Sequence, residues 1–246
     1  MLTPGRVSWQ SRLFSSHMEN LLNPSNRSNA SDFRKPSRSE FVVLRGLRMH
    51  VRHWGKSEAP MLFMLHGWMD MSASFQFVVD SFARDWHVIA PDWRGFGLSD
   101  RVAGDCYWFP DYFADLDALL DHYSPEVPVN LVGHSMGGNV ATIYAGVRPQ
   151  RIAKLVNLEG FGLATTTPAQ APGRYAQWLD ELRQPPQMRT YPTRADVVAR
   201  LCKNNARLTP ERADFLAGEW ARQRGDGEWE ILGDPAHKIV SAQLYR

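Results

Sequence analysis

The sequence predicts an α/β fold with a mostly parallel sheet. Between residues 60 and 163, short apolar runs alternate with segments of helical periodicity, and such alternation requires crossover connections between parallel strands. The runs PMLFMLHG and WHVIAPD are continuously apolar, as expected of strands that are buried on both faces of a sheet. The length of 246 residues allows one large domain, or one domain with an insertion.

The predicted elements follow one another in a regular order. FVVLRG and LRMHVRHW predict two strands that meet at Gly46 as a hairpin. ASFQFVVDSFA predicts a helix between the two buried strands. Pro110 opens a clearer helix, because Phe113, Leu116 and Leu120 recur at helical spacing. The series is completed by a strand, a helix and a strand, in the segments VNLVGHS, NVATIYAGV and IAKLVNLEG.

Composition divides the chain into three expected segments. Residues 1–39 hold six basic and two acidic side chains, a charge of +4, and their Ser/Asn/Arg-rich composition predicts a disordered extension. An organelle transit peptide is the alternative for this segment. Residues 40–163 are expected to form the sheet, with strands one to six. Residues 164–246 are expected to form an all-helical cap and a return segment, because helix-start signals occur there without intervening strands.

Charge and composition argue against several classes of function. The net charge is +2, so residues 40–246 carry −2 and provide no basic stripe for a nucleic acid. No apolar run reaches the length of a membrane span. Cys106 and Cys202 lack metal-ligand spacing and are expected to be reduced, which suits a cytoplasmic protein. GFG occurs twice without the third glycine of a dinucleotide fingerprint, so neither a cofactor nor a metal is expected.

The segment GHSMG, residues 133–137, fits the pattern G-x-S-x-G, in which a nucleophilic serine occupies a sharp turn between a strand and a helix. An apolar strand precedes it and an apolar-periodic helix follows, which is the context that such a turn needs. Ser135 is therefore the expected nucleophile, and the N–H of Met136 is expected to face the reacting oxygen. The second donor is expected to be the backbone N–H of Trp68, in the loop LHGWMD. A glycine-lined turn with an idle serine is the alternative.

Three motifs together resemble the serine-type α/β-hydrolases that carry a cap over the active site. They are HGW at 66–68, PDWRGFGLSD at 91–100 and GHSMGG at 133–138, and the resemblance covers about residues 40–246. It implies hydrolysis of a carboxylic ester or related acyl bond through an acyl-enzyme on Ser135, with a small hydrophobic substrate. Related epoxide hydrolases and haloalkane dehalogenases use Asp at the elbow, where this chain has Ser. Structural roles are implied for Asp92 and Arg94.

The acid and the base that would activate Ser135 are harder to find. The resemblance implies the chain order Ser, acid, His, and few candidates follow Ser135 in the sequence. Glu159 follows the sixth predicted strand and is the first acid candidate, with a structural loop glutamate as the alternative; Asp234 is a further choice. His237 is the only histidine after Ser135, and it is a candidate base or a packing residue of the cap. His66 and His134 are expected to be structural.

No two further strands are recognisable after the predicted cap. The sequence therefore predicts a truncated core without strands seven and eight, an inactive or impaired chain, and an exposed flank of the sixth strand through which oligomers could form. Two other interpretations stay open. One is a non-catalytic relative that binds a small ligand under its cap, and the other is a fragment without function.

Overall fold

The structure is a computed structural model, and it describes residues 34–244. Most of the predicted N-terminal extension, residues 1–33, lies outside the described residues, so its disorder stays a prediction. Ordered structure begins earlier than the expected boundary at residue 40, because the first strand starts at Ser37. Its first three residues pair with the end of the second strand, and this pairing extends the predicted hairpin.

A six-stranded sheet carries the fold, in the order β1-β2-β4-β3-β5-β6. The first two strands form an antiparallel hairpin, and β2 also pairs antiparallel with β4. The other pairs, β3 with β4, β3 with β5 and β5 with β6, are parallel. The predicted mostly parallel sheet is confirmed, and its strands are β1 (Ser37–Leu44), β2 (Leu47–Trp54), β3 (Met61–Leu65), β4 (His87–Pro91), β5 (Val129–His134) and β6 (Ile152–Leu158).

Three helices connect these strands, and they lie on the two faces of the sheet. They are α1 (Gln76–Asp80), α2 (Pro110–Tyr123) and α3 (Met136–Val147). Alternation along β3 sends Phe63 and Leu65 into the core shared with α2 and α3, while Leu62 and Met64 face α1. A strand that is buried on both faces needs apolar residues throughout, which explains the continuous run MLFML.

The cap after β6 contains more than helices, so the prediction of an all-helical cap is wrong. Its helices are α4 (Ala171–Arg183), α5 (Arg194–Asn204) and α6 (Pro210–Trp220). Between and after them, β7 (Thr190–Tyr191), β8 (Ala221–Gln223) and β9 (Trp229–Ile231) form a small antiparallel sheet in the order β7-β9-β8. Strands of two or three residues are too short to show an alternating pattern in the sequence.

The helix-start signals of the cap are confirmed. The Thr193 side chain accepts the backbone N–H of Asp196, and the Asp196 carboxylate accepts the backbone N–H of Thr193, so the two form a capping box at the start of α5. Thr209 likewise caps α6, which begins at Pro210. The cap packs around its own apolar cluster, in which Val197, Ala213 and Ala217 are fully buried.

Strand β6 forms one edge of the main sheet. Within residues 34–244 it pairs with β5 alone. That the core is truncated stays a prediction. Val156 and Leu158 are 49% and 42% exposed, on the face opposite to Asn157, whose amide donates to Thr142 of α3. An apolar, unpaired edge is a template for association with another strand.

No helix in the described part of the chain combines the length and apolar character that crossing a bilayer requires. The cytoplasmic location stays a prediction.

We expect the exposed face of β6 to promote self-association. Replacing Val156 by Lys should lower the associated fraction, because a charge on an edge strand opposes pairing with a second strand. Val127→Lys is the matched control, since Val127 is 61% exposed in the loop before β5, outside any strand. Light scattering after size-exclusion chromatography measures the effect. A wild-type chain that is monomeric at every concentration would contradict the prediction.

Candidate active site

Ser135 connects β5 directly to α3, and its backbone is in the left-handed region, with φ 50° and ψ −115°. Few residues other than glycine adopt such a conformation, and where they do the surrounding structure holds them there. The N–H of Ser135 donates to the carbonyl of Leu158 at 2.8 Å, and its carbonyl accepts the N–H of Asn139 at 3.0 Å. The first bond continues the sheet and the second begins the helix, so one residue makes the whole turn.

The two glycines of the motif allow this turn because the backbone passes very close to its neighbours. A Cβ atom on Gly133 would lie 2.4 Å from the carbonyl oxygen of Gly137. A Cβ atom on Gly137 would lie 2.2 Å from the carbonyl oxygen of Leu65, at the end of β3. Both distances are shorter than a carbon–oxygen contact allows. The glycines at these two positions therefore follow from the packing of α3 against the ends of β3 and β5.

The loop after β3 lies against the elbow. A Cβ atom on Gly67 would be 3.2 Å from the Ser135 Cβ, so the loop passes within contact distance of the serine. Trp68 follows Gly67, and Met136 is the first residue of α3. The N–H of Met136 therefore has no acceptor within its helix. These two residues, whose N–H groups the sequence suggested as oxyanion donors, line one cavity.

His66 fixes the conformation of this loop. Its Nδ1 donates to the carbonyl oxygen of Gly67 at 2.7 Å, while Nε2 accepts the backbone N–H of Trp93 at 2.9 Å. The imidazole is completely buried, and burial lowers its pKa, so it remains neutral. The predicted structural role of His66 fits these contacts.

Asp92 and Arg94 hold the neighbouring loop, as the resemblance implied. The Asp92 carboxylate is buried and accepts hydrogen bonds from the His50 imidazole and from the backbone N–H of Ser72 and Leu98. Burial alone would raise its pKa, but the hydrogen bond and charge of His50 lower it to about 2. Arg94 donates to both carboxylate oxygens of Asp115, at 2.5 and 2.6 Å.

The candidate base, His237, forms no hydrogen bond with Ser135 in the described chain. Its ring is stacked between those of Phe96 and Tyr107, with centroids 3.7 and 3.6 Å away. Nε2 donates to the carbonyl oxygen of Arg94 at 3.1 Å, and Nδ1 lies 3.4 Å from the Tyr112 hydroxyl. Burial lowers its pKa to about 3. Both ring nitrogens are thus occupied, and the contacts match the alternative of a packing histidine.

Neither acid candidate is placed beside an imidazole that reaches Ser135. Glu159 directly follows β6, is exposed, and has a left-handed backbone with φ 60°. Asp234 caps the short 3-10 helix Pro235–Lys238 through the N–H of Ala236, and it accepts the Tyr107 hydroxyl at 2.8 Å. The contacts of Asp234 are those of a structural residue, whereas the exposed Glu159 is placed only by its backbone.

The sequence did not single out Asp70, which lies beside the elbow. Its carboxylate lies 3.8 Å from Nδ1 of His134, the residue before the nucleophile. The same carboxylate accepts the backbone N–H of Met71 at 2.8 Å and the hydroxyl of Ser74. The signal was present in LHGWMD, where an acid follows the expected oxyanion donor by two residues.

A cavity of about 330 Å³ opens beside the elbow. We call it the elbow cavity, and its lining includes Trp68, Met136, Tyr112, Arg174, His237 and Lys238. The two expected oxyanion residues thus border a space of the size of small-molecule sites. His237 borders the same space, but it faces Arg94 and Tyr112.

A family model described as alpha/beta hydrolase fold matches residues 60–243. The chain belongs to the alpha/beta hydrolases. Serine hydrolase-like protein of Danio rerio is 35% identical over 138 residues, which are 56% of this chain and 40% of that protein. Epoxide hydrolase 4 of Mus musculus is 33% identical over 112 residues, 45% of this chain and 31% of that protein. The chain spans less than half the length of these curated relatives.

A solved structure gives wider coverage of this alpha/beta hydrolase. The thioesterase domain from the curacin biosynthetic pathway has a TM-score of 0.75 and 26% sequence identity. The superposition covers 84% of this chain and 74% of that domain. Together with the family match, these relatives support a hydrolase function.

Gly137 and Gly146 lie in the same helix and provide a matched test of the elbow packing. Gly137→Ala should cost at least about 2 kcal/mol of unfolding free energy or abolish folding, because the new Cβ overlaps the Leu65 carbonyl. Gly146→Ala should be neutral or stabilise by about 0.5–1 kcal/mol, since no atom lies within 4 Å of its Cβ position. Urea titration measures both. Equal stability of the two variants would contradict the packing argument.

The buried histidines predict a loss of stability in acid. Burial lowers the pKa of His53 to about 4 and that of His237 to about 3, whereas both have ordinary values near 6.5 in the unfolded chain. Below pH 6.5 the unfolded state therefore binds more protons, and the free energy of unfolding falls as the pH falls. Each group contributes up to about 1.4 kcal/mol per pH unit.

His237→Phe keeps an aromatic ring between Phe96 and Tyr107 but removes the titrating group. Urea titrations between pH 7 and pH 4.5 should show a smaller loss of stability in this variant than in the wild type. His122→Phe, at an exposed position of α2, is the control and should leave the slope unchanged. An unchanged slope in His237→Phe would show that this histidine is not buried as described.

Proposed function

We propose that this alpha/beta hydrolase cleaves carboxylic esters or related acyl bonds through an acyl-enzyme on Ser135. The observation that carries the proposal is the strained backbone of Ser135, held between β5 and α3 with the Trp68 loop against it. A residue that served only as a turn would not need a serine in this conformation, whereas a nucleophile gains exposure of its hydroxyl above the sheet.

The geometry supports a definite sequence of events. The Ser135 hydroxyl oxygen attacks the carbonyl carbon of the substrate while its proton passes to water or to a base supplied at the elbow, and the carbonyl oxygen becomes an oxyanion. The N–H groups of Trp68 and Met136 would stabilise that charge, in addition to the N-terminus of α3. Collapse expels the alcohol or thiol, to which the same proton then goes, and leaves an ester on Ser135. Attack by water on that ester then releases the acid and restores the serine.

The proton of Ser135 has no acceptor among the side chains described. Within residues 34–244 no imidazole nitrogen hydrogen-bonds the serine hydroxyl, because the contacts of His66 and His237 are made to other groups. General-base catalysis contributes roughly 10²–10⁴ to rates of this kind. We therefore propose that this chain is acylated slowly and that a base supplied at the elbow would accelerate the reaction.

Comparison with relatives bears on the type of bond that is cleaved. The thioesterase domain, which this chain resembles in fold and at 26% identity, keeps thioesters among the candidate substrates. The similarity to an epoxide hydrolase is weaker support for cleavage of an epoxide. Cap-bearing epoxide hydrolases of this kind use an aspartate at the elbow, whereas position 135 is a serine. A non-catalytic binder is the second candidate, and the occupied nitrogens of His237 favour it.

Labelling by a fluorophosphonate distinguishes these candidates. The purified chain should react slowly at Ser135, and free imidazole should raise the rate at least about tenfold, because it supplies the general base. Intact mass spectrometry, followed by mapping of the labelled peptide, measures the rate. Ser135→Ala should not be labelled under either condition, whereas Ser57→Ala, at an exposed serine between β2 and β3, should behave like the wild type.

Two results would contradict the proposal in different ways. A folded chain that stays unlabelled in the presence of imidazole would show that Ser135 is not a nucleophile and would favour the binder. Rapid labelling without imidazole that is abolished by His237→Ala would show that His237 acts on the serine as the general base.

A further inference from the structure

A second cavity adjoins the elbow cavity under the cap. It has a volume of about 360 Å³, and we call it the cap cavity. Trp68 and Lys238 line both spaces, so the two cavities meet at the residue whose N–H is proposed to bind the oxyanion. A substrate with its reacting carbonyl at Trp68 would therefore extend one of its ends towards the cap cavity.

The lining of the cap cavity combines an apolar wall with unbalanced positive charge. The apolar part includes Tyr191, Val197, Leu201, Trp220 and Ile231. The charged part consists of Arg189, Arg200 and Lys238, and no carboxylate belongs to the lining of either cavity. This distribution is notable because residues 40–246 carry a net charge of −2.

The arginines of the cap cavity also differ from other arginines of the cap. Arg194, Arg222 and Arg224 lie outside the lining, and each is paired with a carboxylate at 2.6 to 3.1 Å. Within residues 34–244, by contrast, neither Arg189 nor Arg200 forms an ion pair. The Arg189 guanidinium lies 5.3 Å from the centroid of the Tyr191 ring. The Lys238 ammonium donates to the carbonyl oxygen of Gln187 at 2.8 Å, which leaves its charge uncompensated.

Unpaired cations next to an apolar wall attract an anion more strongly than cations in open water. Arg189 and Arg200 are exposed, so the attraction rests on the cleft, in which charges of one sign beside an apolar wall concentrate the field. Guanidinium groups match the geometry of carboxylate and phosphate oxygens through parallel hydrogen bonds. The lining thus fits a molecule with an apolar middle and an oxyanion at one end.

We propose that the substrate of Ser135 is an acyl ester or thioester that carries a carboxylate or phosphate at the end of an apolar chain. The anionic end lies in the cap cavity against Arg189, Arg200 and Lys238, and the reacting carbonyl lies at Trp68. This assignment rests on the proposed function of Ser135, because it names the class of substrate on which that serine acts.

A pair of esters with the same chain tests the assignment by binding. Monomethyl suberate has a carboxylate where methyl octanoate has a methyl group, and the two are otherwise matched in length. Calorimetry or ligand-observed NMR on the Ser135→Ala chain measures affinity without turnover. We expect the half-ester to bind at least about tenfold more tightly, and we expect the preference to shrink as salt is added.

Substitution of the cations tests where the anion binds. The double variant Arg189→Gln, Arg200→Gln should remove the preference, and its exposed positions allow the fold to persist. Arg207→Gln is the matched control, because Arg207 is an exposed arginine of the cap that does not line this cavity and has no ion pair in the described chain. It should leave the preference intact. Octyl phosphate in place of the half-ester shows whether phosphate or carboxylate is preferred.

The assignment is overturned if the two esters bind equally, or if the double variant keeps the preference. Failure of the proposed function gives a different result. The half-ester would still bind more tightly than methyl octanoate, but Ser135 would not be labelled by the fluorophosphonate even with imidazole. That combination would indicate a binding site without catalysis. If Ser135 is labelled and both esters suppress the labelling equally, Ser135 is still a nucleophile, but its substrate need not be anionic.

Discussion

The close approach of α3 to the ends of β3 and β5 is the constraint on which the site depends. The backbone can come this near only where Gly133 and Gly137 lack side chains. This contact forces the single residue between strand and helix into the left-handed region. The conformation of Ser135 is thus a consequence of sheet packing, and its cost, of order 1–3 kcal/mol, is balanced by the contacts of the surrounding elements.

Burial sets the protonation state of the histidines near the elbow, and geometry decides whether either can take the serine proton. His66 and His237 are neutral because burial lowers the pKa of each, and neutral imidazole has the form that a general base requires. Their geometry nevertheless commits the ring nitrogens to Gly67, Trp93 and Arg94. A neutral imidazole is therefore not sufficient for general-base catalysis, because the base must also be within hydrogen-bond reach of the serine hydroxyl.

Sequence patterns predicted the parts of the molecule whose structure is decided by residues close together in the chain. The parallel sheet followed from continuous apolar runs, α2 from Pro110 and its helical spacing, and the elbow from two glycines around a serine. The cap sheet escaped prediction because its strands have only two or three residues, so tertiary pairing decides their structure. The stacking of His237 between Phe96 and Tyr107 joins segments more than 120 residues apart, and no local pattern encodes such a contact.

The elbow and the exposed edge of the sheet are mechanically connected through one hydrogen bond. Leu158 accepts the N–H of Ser135 and is itself 42% exposed at the end of β6. Its successor, Glu159, has a left-handed backbone, so the chain leaves the sheet immediately beside the nucleophile. In the described chain β6 has one neighbouring strand, so its outer peptide groups lack the restraint that a second strand would give. A strand that paired with this edge would add hydrogen bonds to β6, the strand whose last residue accepts the N–H of Ser135.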